Sequence, residues 1–205
     1  MKRKIKLIIF DAAGVTWHGG YTVTSRFLAK KYHLPYQEVL AIMQDKWFLP
    51  ACTGKMYSVK AFQMGAKDLG IPLSGEKIEA IHLSLIKARK SMLEFSYYLR
   101  RHGYKTIILS NNYSHYIKKF RINFKLDKYF DGIVNSQDLG INKTDVKMFK
   151  YVLNKYKVKA RETLYFDDQK ENLISPKKVG INVILFKNQV QIKKAVLGFL
   201  NSHEK

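Results

Sequence analysis

The chain has 205 residues, of which 46% are hydrophobic, and a formal net charge of +21. This much apolar material can bury the core of one domain with a small insertion. The single cysteine, Cys52, excludes an intramolecular disulfide and leaves too few thiolates for a zinc cluster. The first apolar run is too short to span a membrane, so we expect a cytoplasmic protein without a membrane anchor.

The strong positive charge raises the question of nucleic-acid binding, because basic proteins gain affinity for phosphate backbones by releasing counterions. The basic residues are mostly lysines scattered along the chain, with short clusters only at Lys2–Lys6 and Lys118–Arg121. Planar bidentate recognition of bases favours arginine instead. We therefore do not expect specific nucleic-acid binding, and we interpret the charge as a solvated surface that attracts anionic substrates.

Five short apolar runs rich in β-branched residues predict buried parallel strands. They are residues 6–10, 106–110, 132–135, 163–166 and 182–186. Helical patterns lie between the later runs, at residues 92–103, 145–156 and 171–180. Strands that alternate with helices predict an α/β protein with a Rossmann-like parallel sheet as its core.

The segment between the first strand and the others follows a different pattern. It shows several amphipathic helical patterns and no convincing buried strand. This is the layout of a core domain with a small helical cap inserted after the first strand. We expect the core at residues 1–16 and 91–205 and the cap at residues 17–90.

Polar residues stand at or just after the ends of the predicted strands. They are Asp11, the pair Ser110–Asn111, Lys143, and the pair Asp167–Asp168. Each has an ordinary structural explanation, such as a turn or a helix cap. In open parallel sheets, however, functional residues cluster beyond the carboxyl ends of the strands. Together these residues could supply a nucleophilic carboxylate, donors for phosphate oxygens, a cation for developing charge, and carboxylate ligands for Mg²⁺.

Four segments resemble the motifs of the haloacid dehalogenase superfamily. FDAAGV (10–15) is similar to the first motif, LSNN (109–112) to the second, INKTDVKMF (141–149) to the third and YFDDQKEN (165–172) to the fourth. The match spans nearly the whole chain. It is most similar to the branch that contains sugar-phosphate phosphatases and the N-terminal phosphatase domain of soluble epoxide hydrolases. The resemblance implies a Mg²⁺-dependent hydrolase that acts on a small phosphorylated substrate.

The resemblance also implies a nucleophile and a metal site. Asp11 would form an aspartyl-phosphate. Mg²⁺ would be held by Asp11, the backbone carbonyl of Ala13 and Asp168, with Asp167 binding directly or through water. True haloacid dehalogenases lack the acidic pair of the fourth motif, so the pair in this chain indicates a metal-dependent enzyme.

The remaining motif residues are implied to hold the substrate. Ser110, the backbone of Asn111 and Lys143 would bind the transferring phosphoryl group. Asn172 would order the loop of the fourth motif rather than touch the substrate.

The first motif usually carries a second aspartate where this chain has Ala13. In the family's phosphatases that aspartate protonates the leaving alkoxide and then activates water, and Ala13 can do neither. Loss of a positioned general acid–base costs roughly 10²- to 10⁴-fold in rate. Three outcomes stay open: a phosphatase that is slow or helped by another group, a phosphonatase-like C–P hydrolase, or a catalytically impaired protein with a binding role.

Each outcome has candidate residues. His18, in the loop after the first strand, could supply the missing proton, although a solvated loop residue is the simpler interpretation. A C–P hydrolase would need a cap lysine, for which Lys46 and Lys55 are candidates among many lysines. An aromatic substrate pocket would be formed by residues of the cap, namely Trp47, Phe48 and Tyr57.

Overall fold

The computed structural model describes residues 5–204. Residues 1–4 and 205 lie outside the described range, and with them most of the Lys2–Lys6 cluster and the start of the expected core domain. Within the described range, every helix is too short or too polar to cross a membrane.

The strands form one large and one small sheet. They are β1 (Leu7–Asp11), β2 (Trp17–His18), β3 (Lys87–Ala88), β4 (Lys105–Ser110), β5 (Gly132–Asn135), β6 (Thr163–Asp167) and β7 (Asn182–Leu185). Five of them are parallel and lie in the order β5-β4-β1-β6-β7, while β2 and β3 pair antiparallel. The five predicted strands are confirmed, with bounds shifted by no more than one residue. β7 is only half-buried along its length because it lies at the edge of the sheet.

Helices surround the sheet. They are α1 (Tyr21–Tyr32), α2 (Tyr36–Leu40), α3 (Ser58–Asp68), α4 (Gly75–Ser84), α5 (Lys90–Arg101), α6 (Ser114–Asn123), α7 (Leu126–Tyr129), α8 (Ser136–Leu139), α9 (Val146–Tyr156), α10 (Ile174–Lys178) and α11 (Gln189–Glu204). Two π-helical segments, Ala41–Phe48 and Ala51–Lys55, follow α2, and short 3₁₀ turns precede β6 and α10.

The predicted helices at residues 92–103 and 145–156 correspond to α5 and α9. α9 begins after Asp145, whose carboxylate accepts a hydrogen bond from the backbone N–H of Lys147 at 2.8 Å and caps the helix. The predicted helix at residues 171–180 is shorter, with a 3₁₀ turn followed by α10. α6 and α11 were not predicted because their apolar residues are less regularly spaced than those of α5 and α9.

The segment between β1 and β4 is mainly helical, as the predicted fold class requires. It also contains β2 and β3, which pair Trp17 with Ala88 and His18 with Lys87 and so tie the beginning of the segment to its end. Strands of two residues are too short to give an alternating pattern, which explains why the sequence did not indicate them. The exact domain boundaries, residues 1–16 and 91–205 for the core and 17–90 for the cap, stay a prediction.

The central strands place three polar residues at one edge of the sheet. β1 lies between β4 and β6, and Asp11, Ser110 and Asp167 are the last residues of these three strands. Directly below them, Phe10 is fully buried and packs against the rings of Phe166 and Phe130, with centroids 4.4 and 5.2 Å away. The core therefore supports the residues at the strand ends.

The packing of Phe10 gives a prediction about stability. Phe10→Ala should lower the free energy of unfolding by about 3–5 kcal/mol, because the truncated side chain leaves a cavity at the centre of the sheet. Phe27→Ala is the matched control, since Phe27 is 38% exposed, and it should cost about 1 kcal/mol or less. Urea denaturation measures both changes. Equal losses of unfolding free energy in the two variants would contradict the central position of Phe10.

Candidate active site

Three carboxylates meet at the carboxyl edge of the sheet. Asp11 ends β1, Asp167 ends β6, and Asp168 follows it directly. Each offers an oxygen within 4.8 Å of the others; Asp11 and Asp167 are buried and Asp168 is exposed. Like charges this close repel one another unless cations lie among them.

Lys143 supplies one such cation. Its ammonium group donates hydrogen bonds to Asp11 Oδ1 and, at 3.0 Å, to Asp167 Oδ2, and the residue is only 2% exposed. Burial opposes the charge, but the two carboxylates outweigh burial and raise the pKa of the Lys143 ammonium above its usual value. The backbone N–H of Lys143 donates to Asn111 Oδ1 at 3.0 Å, which fixes the loop before α9 against the end of β4.

Both oxygens of Asp167 are already used in hydrogen bonds. The donors, besides Lys143, are the Tyr165 hydroxyl, the backbone N–H of Gln169 at 2.8 Å, and the side-chain amide of Asn172 at 3.1 Å from each oxygen. Asp167 therefore holds its neighbours in place. Asn172 binds Asp167 and also lines the cleft beside the cluster, so its expected role in ordering the loop rather than touching the substrate stays a prediction.

Asp11 and Asp168 lack sufficient positive charge nearby. Burial, followed by repulsion from Asp167, raises the pKa of Asp11 well above its usual value, and Lys143 offsets only part of this effect. Asp168 is exposed as a residue, but the partial desolvation of its carboxylate and repulsion from Asp167 raise its pKa to about 6, against smaller opposing effects of Lys143 and Arg89. Lys143 and the more distant Arg89 thus leave three carboxylates incompletely neutralised, and a further cation would be favoured here.

The loop after β1 keeps one backbone carbonyl free. Among the described residues, the carbonyls of residues 11, 12 and 14–17 all accept hydrogen bonds from within the loop or from Arg89. The guanidinium of Arg89 donates to the carbonyls of Val15 and Gly14 at 3.0 and 2.8 Å, and its backbone N–H donates to that of Thr16. Only the carbonyl of Ala13 accepts no hydrogen bond in this segment, so it is open to another ligand.

The acidic cluster opens into a cleft, and three buried side-chain oxygens that line this cleft have no partner among the described residues: Asp11 Oδ2, Ser110 Oγ and the Tyr21 hydroxyl. Asp11 Oδ2 and Ser110 Oγ lie on the last residues of the central strands β1 and β4, whereas Tyr21 belongs to α1. Buried polar atoms without partners are uncommon and call for an explanation such as a bound group. Together with the Ala13 carbonyl, they make a cradle suited to a cation and an oxyanion.

Gly14 allows the fourth-motif carboxylate to approach this loop. Its φ of 94° lies in the left-handed region, and a Cβ at this position would collide with the carboxylate of Asp168. A residue with a side chain would therefore both strain the backbone and displace a carboxylate of the cluster.

The opposite wall of the cleft is largely aromatic. Its residues come from the segment between β1 and β4 and include Trp17, Tyr21, Phe48, His82 and Ile86. Of the three predicted pocket aromatics, only Phe48 lines the cleft. Trp47 instead donates its indole N–H to Asp68 at 2.7 Å, and Tyr57 is 85% exposed.

Three other candidates lie away from the cleft. His18 is exposed, because its strand neighbour Trp17 takes the inward position. Lys46 forms an ion pair with Asp68 at 2.8 Å, and Lys55 is exposed. In the described part of the chain, Lys143 is the only lysine that lines the cleft.

The structure brings most of the predicted site residues together. The cleft is lined by Asp11, Ala13, Ser110, Asn111, Lys143 and Asp168, and Asp167 lies directly behind Lys143. Sequence reasoning missed Arg89, Tyr21 and His82, which belong to no motif and whose positions depend on tertiary packing. The arrangement offers a carboxylate nucleophile, phosphate-oxygen donors and an open cation position.

Comparisons with known proteins identify a family and several relatives. The sequence model of the haloacid dehalogenase-like hydrolase (HAD) family matches residues 19–186. Bifunctional epoxide hydrolase 2 of Rattus norvegicus is 27% identical over 103 residues, which are 48% of this chain and 19% of the rat protein. Glyceraldehyde 3-phosphate phosphatase of Methanocaldococcus jannaschii is 33% identical over 57 residues, or 28% of this chain and 25% of that protein. The matches therefore span about a fifth to a quarter of these relatives.

Solved structures share the fold. A HAD family enzyme of Bacteroides thetaiotaomicron superposes with a TM-score of 0.71 at 20% identity, covering 90% of this chain and 94% of that one. That enzyme is also known in complex with magnesium and inorganic phosphate. A HAD-like hydrolase of Porphyromonas gingivalis gives a TM-score of 0.73 at 20% identity, covering 94% and 98% of the two chains. With the family match extending over most of its length, this chain belongs to the haloacid dehalogenase-like hydrolases.

Proposed function

We propose that the protein is a Mg²⁺-dependent hydrolase that acts on a small phosphorylated compound through an aspartyl-phosphate on Asp11. The observation that carries the proposal is the pair of buried, unpartnered oxygens, Asp11 Oδ2 and Ser110 Oγ, in one cleft beside an acidic cluster. The phosphatases among the relatives, and the magnesium–phosphate complex of the Bacteroides enzyme, support it.

The residues present fit a magnesium ion. Asp11, the Ala13 carbonyl and Asp168 would hold it, because they offer the hard oxygen ligands that Mg²⁺ prefers and are not saturated by hydrogen bonds. Asp167, whose oxygens already accept several hydrogen bonds, would act on the ion through its charge or through water. When bound, Mg²⁺ would neutralise the excess negative charge and keep Asp11 ionised.

The chain's own residues would then carry out the transfer. A carboxylate oxygen of Asp11 attacks phosphorus, and the bond from phosphorus to the leaving oxygen breaks. Ser110, Asn111 and Lys143 hold the phosphoryl oxygens as charge shifts among them. Water then attacks phosphorus, releasing phosphate and restoring the Asp11 carboxylate.

Ala13 limits both steps of this reaction, because it can neither protonate the leaving oxygen nor activate water. Its methyl group cannot donate a proton to the departing oxygen, and His18, the candidate from the sequence, is exposed away from the cleft. Substrates whose leaving groups need little protonation should therefore react best. A phosphonatase-like reaction has less support, since neither Lys46 nor Lys55 lines the cleft.

Metal binding provides the first test of the proposal. Mg²⁺ should raise the Tm by several degrees, since a ligand at about a hundred times its Kd stabilises the folded state by about 2.7 kcal/mol. Asp168→Asn should lose most of this shift. Asp127→Asn is the control, because Asp127 has 64% of its side chain exposed and pairs with Arg121. Thermal unfolding with and without Mg²⁺ measures all three; an equal shift in the Asp168 variant would remove the metal assignment.

The leaving-group dependence provides the second test. Aryl and acyl phosphates should be hydrolysed far faster than alkyl phosphates, because their leaving groups depart without a proton. Ala13→Asp should increase alkyl-phosphate turnover by at least about tenfold, a cautious fraction of a general-acid contribution. Asp11→Asn should be inactive with either residue at position 13. Release of inorganic phosphate is the measurement.

Two results would change the proposal. Brisk turnover of an alkyl phosphate by the wild type, with no gain in Ala13→Asp, would mean that another group supplies the proton. Binding of Mg²⁺ without turnover in either protein would favour the alternative of a catalytically impaired protein with a binding role.

A further inference from the structure

His82 is the one imidazole among the described residues that line the cleft. It belongs to α4 and is only 2% exposed. Its ring packs against the rings of Tyr21, Phe62 and Tyr116, with centroids 4.6, 5.3 and 5.8 Å away. These contacts hold the imidazole in one orientation.

A hydrogen-bonded chain assigns the protons of this ring. Thr24 Oγ1 lies 2.8 Å from His82 Nδ1 and 3.1 Å from the carbonyl oxygen of Gly20. The hydroxyl has a single hydrogen, so both contacts are hydrogen bonds only if it donates to Gly20 and accepts from Nδ1–H. The neutral imidazole then carries its lone pair on Nε2.

The lone pair of Nε2 is not used by the described residues. The nitrogen makes no hydrogen bond with the described residues. It is also not fully enclosed by them. Aromatic rings and Thr24 cover other parts of the ring, and His82 lines the cleft. His82 is therefore an imidazole of the cleft wall whose Nε2 acceptor has no partner among the described residues.

The hydrogen-bonded chain that holds His82 ends beside Ala13, where the family's phosphatases carry their second aspartate. A Cβ built on Gly20 would lie 3.3 Å from the methyl group of Ala13, so the carbonyl that anchors Thr24 belongs to a residue beside Ala13. His82 lies in the segment between β1 and β4 and lines the same cleft as Asp11 and Ala13. In-line attack on a phosphorylated Asp11 comes from the side of phosphorus opposite the aspartate oxygen.

We propose that His82 Nε2 accepts a hydrogen bond from the water that hydrolyses phosphorylated Asp11 and thereby positions this water. The inference rests on the proposed function, because it concerns the second step of that reaction. The water oxygen bonds to phosphorus while the bond from phosphorus to the Asp11 oxygen breaks, and its electron pair returns to the carboxylate. The proton lost by water passes to an oxygen of the released phosphate, so His82 stays neutral.

The environment of His82 favours this role over proton transfer. Burial lowers the pKa of His82 to about 3, so the ring is neutral near pH 7. A neutral ring with Nδ1–H directed to Thr24 has no proton on Nε2 to donate to a leaving group. His82 thus assists the water and leaves the first step without an acid.

Acetyl phosphate with Mg²⁺ is the probe that separates the two steps, because its leaving group needs little protonation. Rapid quenching with radiolabelled acetyl phosphate gives the rates of formation and decay of the phosphoenzyme. In His82→Phe, formation should match the wild type, while decay should slow by at least about tenfold, the effect of losing one hydrogen bond of ordinary strength. His82→Gln keeps an acceptor and should decay faster than His82→Phe.

Variants of Thr24, which holds the His82 ring, and of His18, which lies outside the cleft, complete the test. Thr24→Val should slow the decay of the phosphoenzyme. Thr24→Ser keeps the hydroxyl and should show the decay rate of the wild type. His18→Gln should behave as the wild type, because His18 is exposed outside the cleft. Thermal unfolding of each variant checks that the fold is retained.

The outcomes distinguish this inference from the proposed function. If the phosphoenzyme forms in His82→Phe and decays as in the wild type, the role of His82 is wrong and the proposed function stands. Equal slowing of formation and decay would indicate a structural role and would also overturn the inference. If the wild type forms no phosphoenzyme and releases no phosphate, the proposed function is wrong and the inference falls with it.

Discussion

The ion pairs of Lys143 with Asp11 and Asp167 are the contact on which the active-site end of the fold depends. They join the ends of β1 and β6 to the loop before α9, in surroundings where water cannot screen the charges. Removing the lysine would leave two buried carboxylates uncompensated, which is far more destabilising than losing an exposed pair. Because we propose that the same ammonium group binds phosphoryl oxygens, stability and the proposed chemistry would rely on one residue.

The loop after β1 adds the second constraint. Arg89, at the far end of the helical segment, holds three consecutive carbonyls of this loop, and the pairing of β2 with β3 lies beside it. The carbonyl of Ala13 is thereby left free beside the acidic cluster. Since this position contributes its backbone to the proposed metal site, replacing its side chain by a methyl group removes proton transfer without removing the ligand. In the proposed site, the cation position and the acid–base function are thus physically separable.

Sequence patterns predicted the parallel sheet because its strands are continuous apolar runs, and they predicted Asp11, Ser110, Asn111, Lys143, Asp167 and Asp168 because each belongs to a motif at or near a strand end. They could not predict Arg89 or His82, whose roles come from long-range contacts that leave no periodic signal. His18 was chosen for its proximity to Asp11 in sequence, yet strand alternation turns it outward. The predictions of a cytoplasmic location and of no specific nucleic-acid binding remain predictions, since they concern properties outside the fold.

The central claim is that Asp11 receives a phosphoryl group from the substrate. The most direct measurement treats the protein with acetyl phosphate and Mg²⁺, reduces the acyl phosphate with borohydride, and locates the product by peptide mass spectrometry. The account predicts that residue 11 is converted to homoserine. This conversion should require both acetyl phosphate and Mg²⁺, and it should not occur in Asp11→Asn. Modification at a different residue, or an unmodified Asp11 under conditions in which phosphate is released, would contradict it.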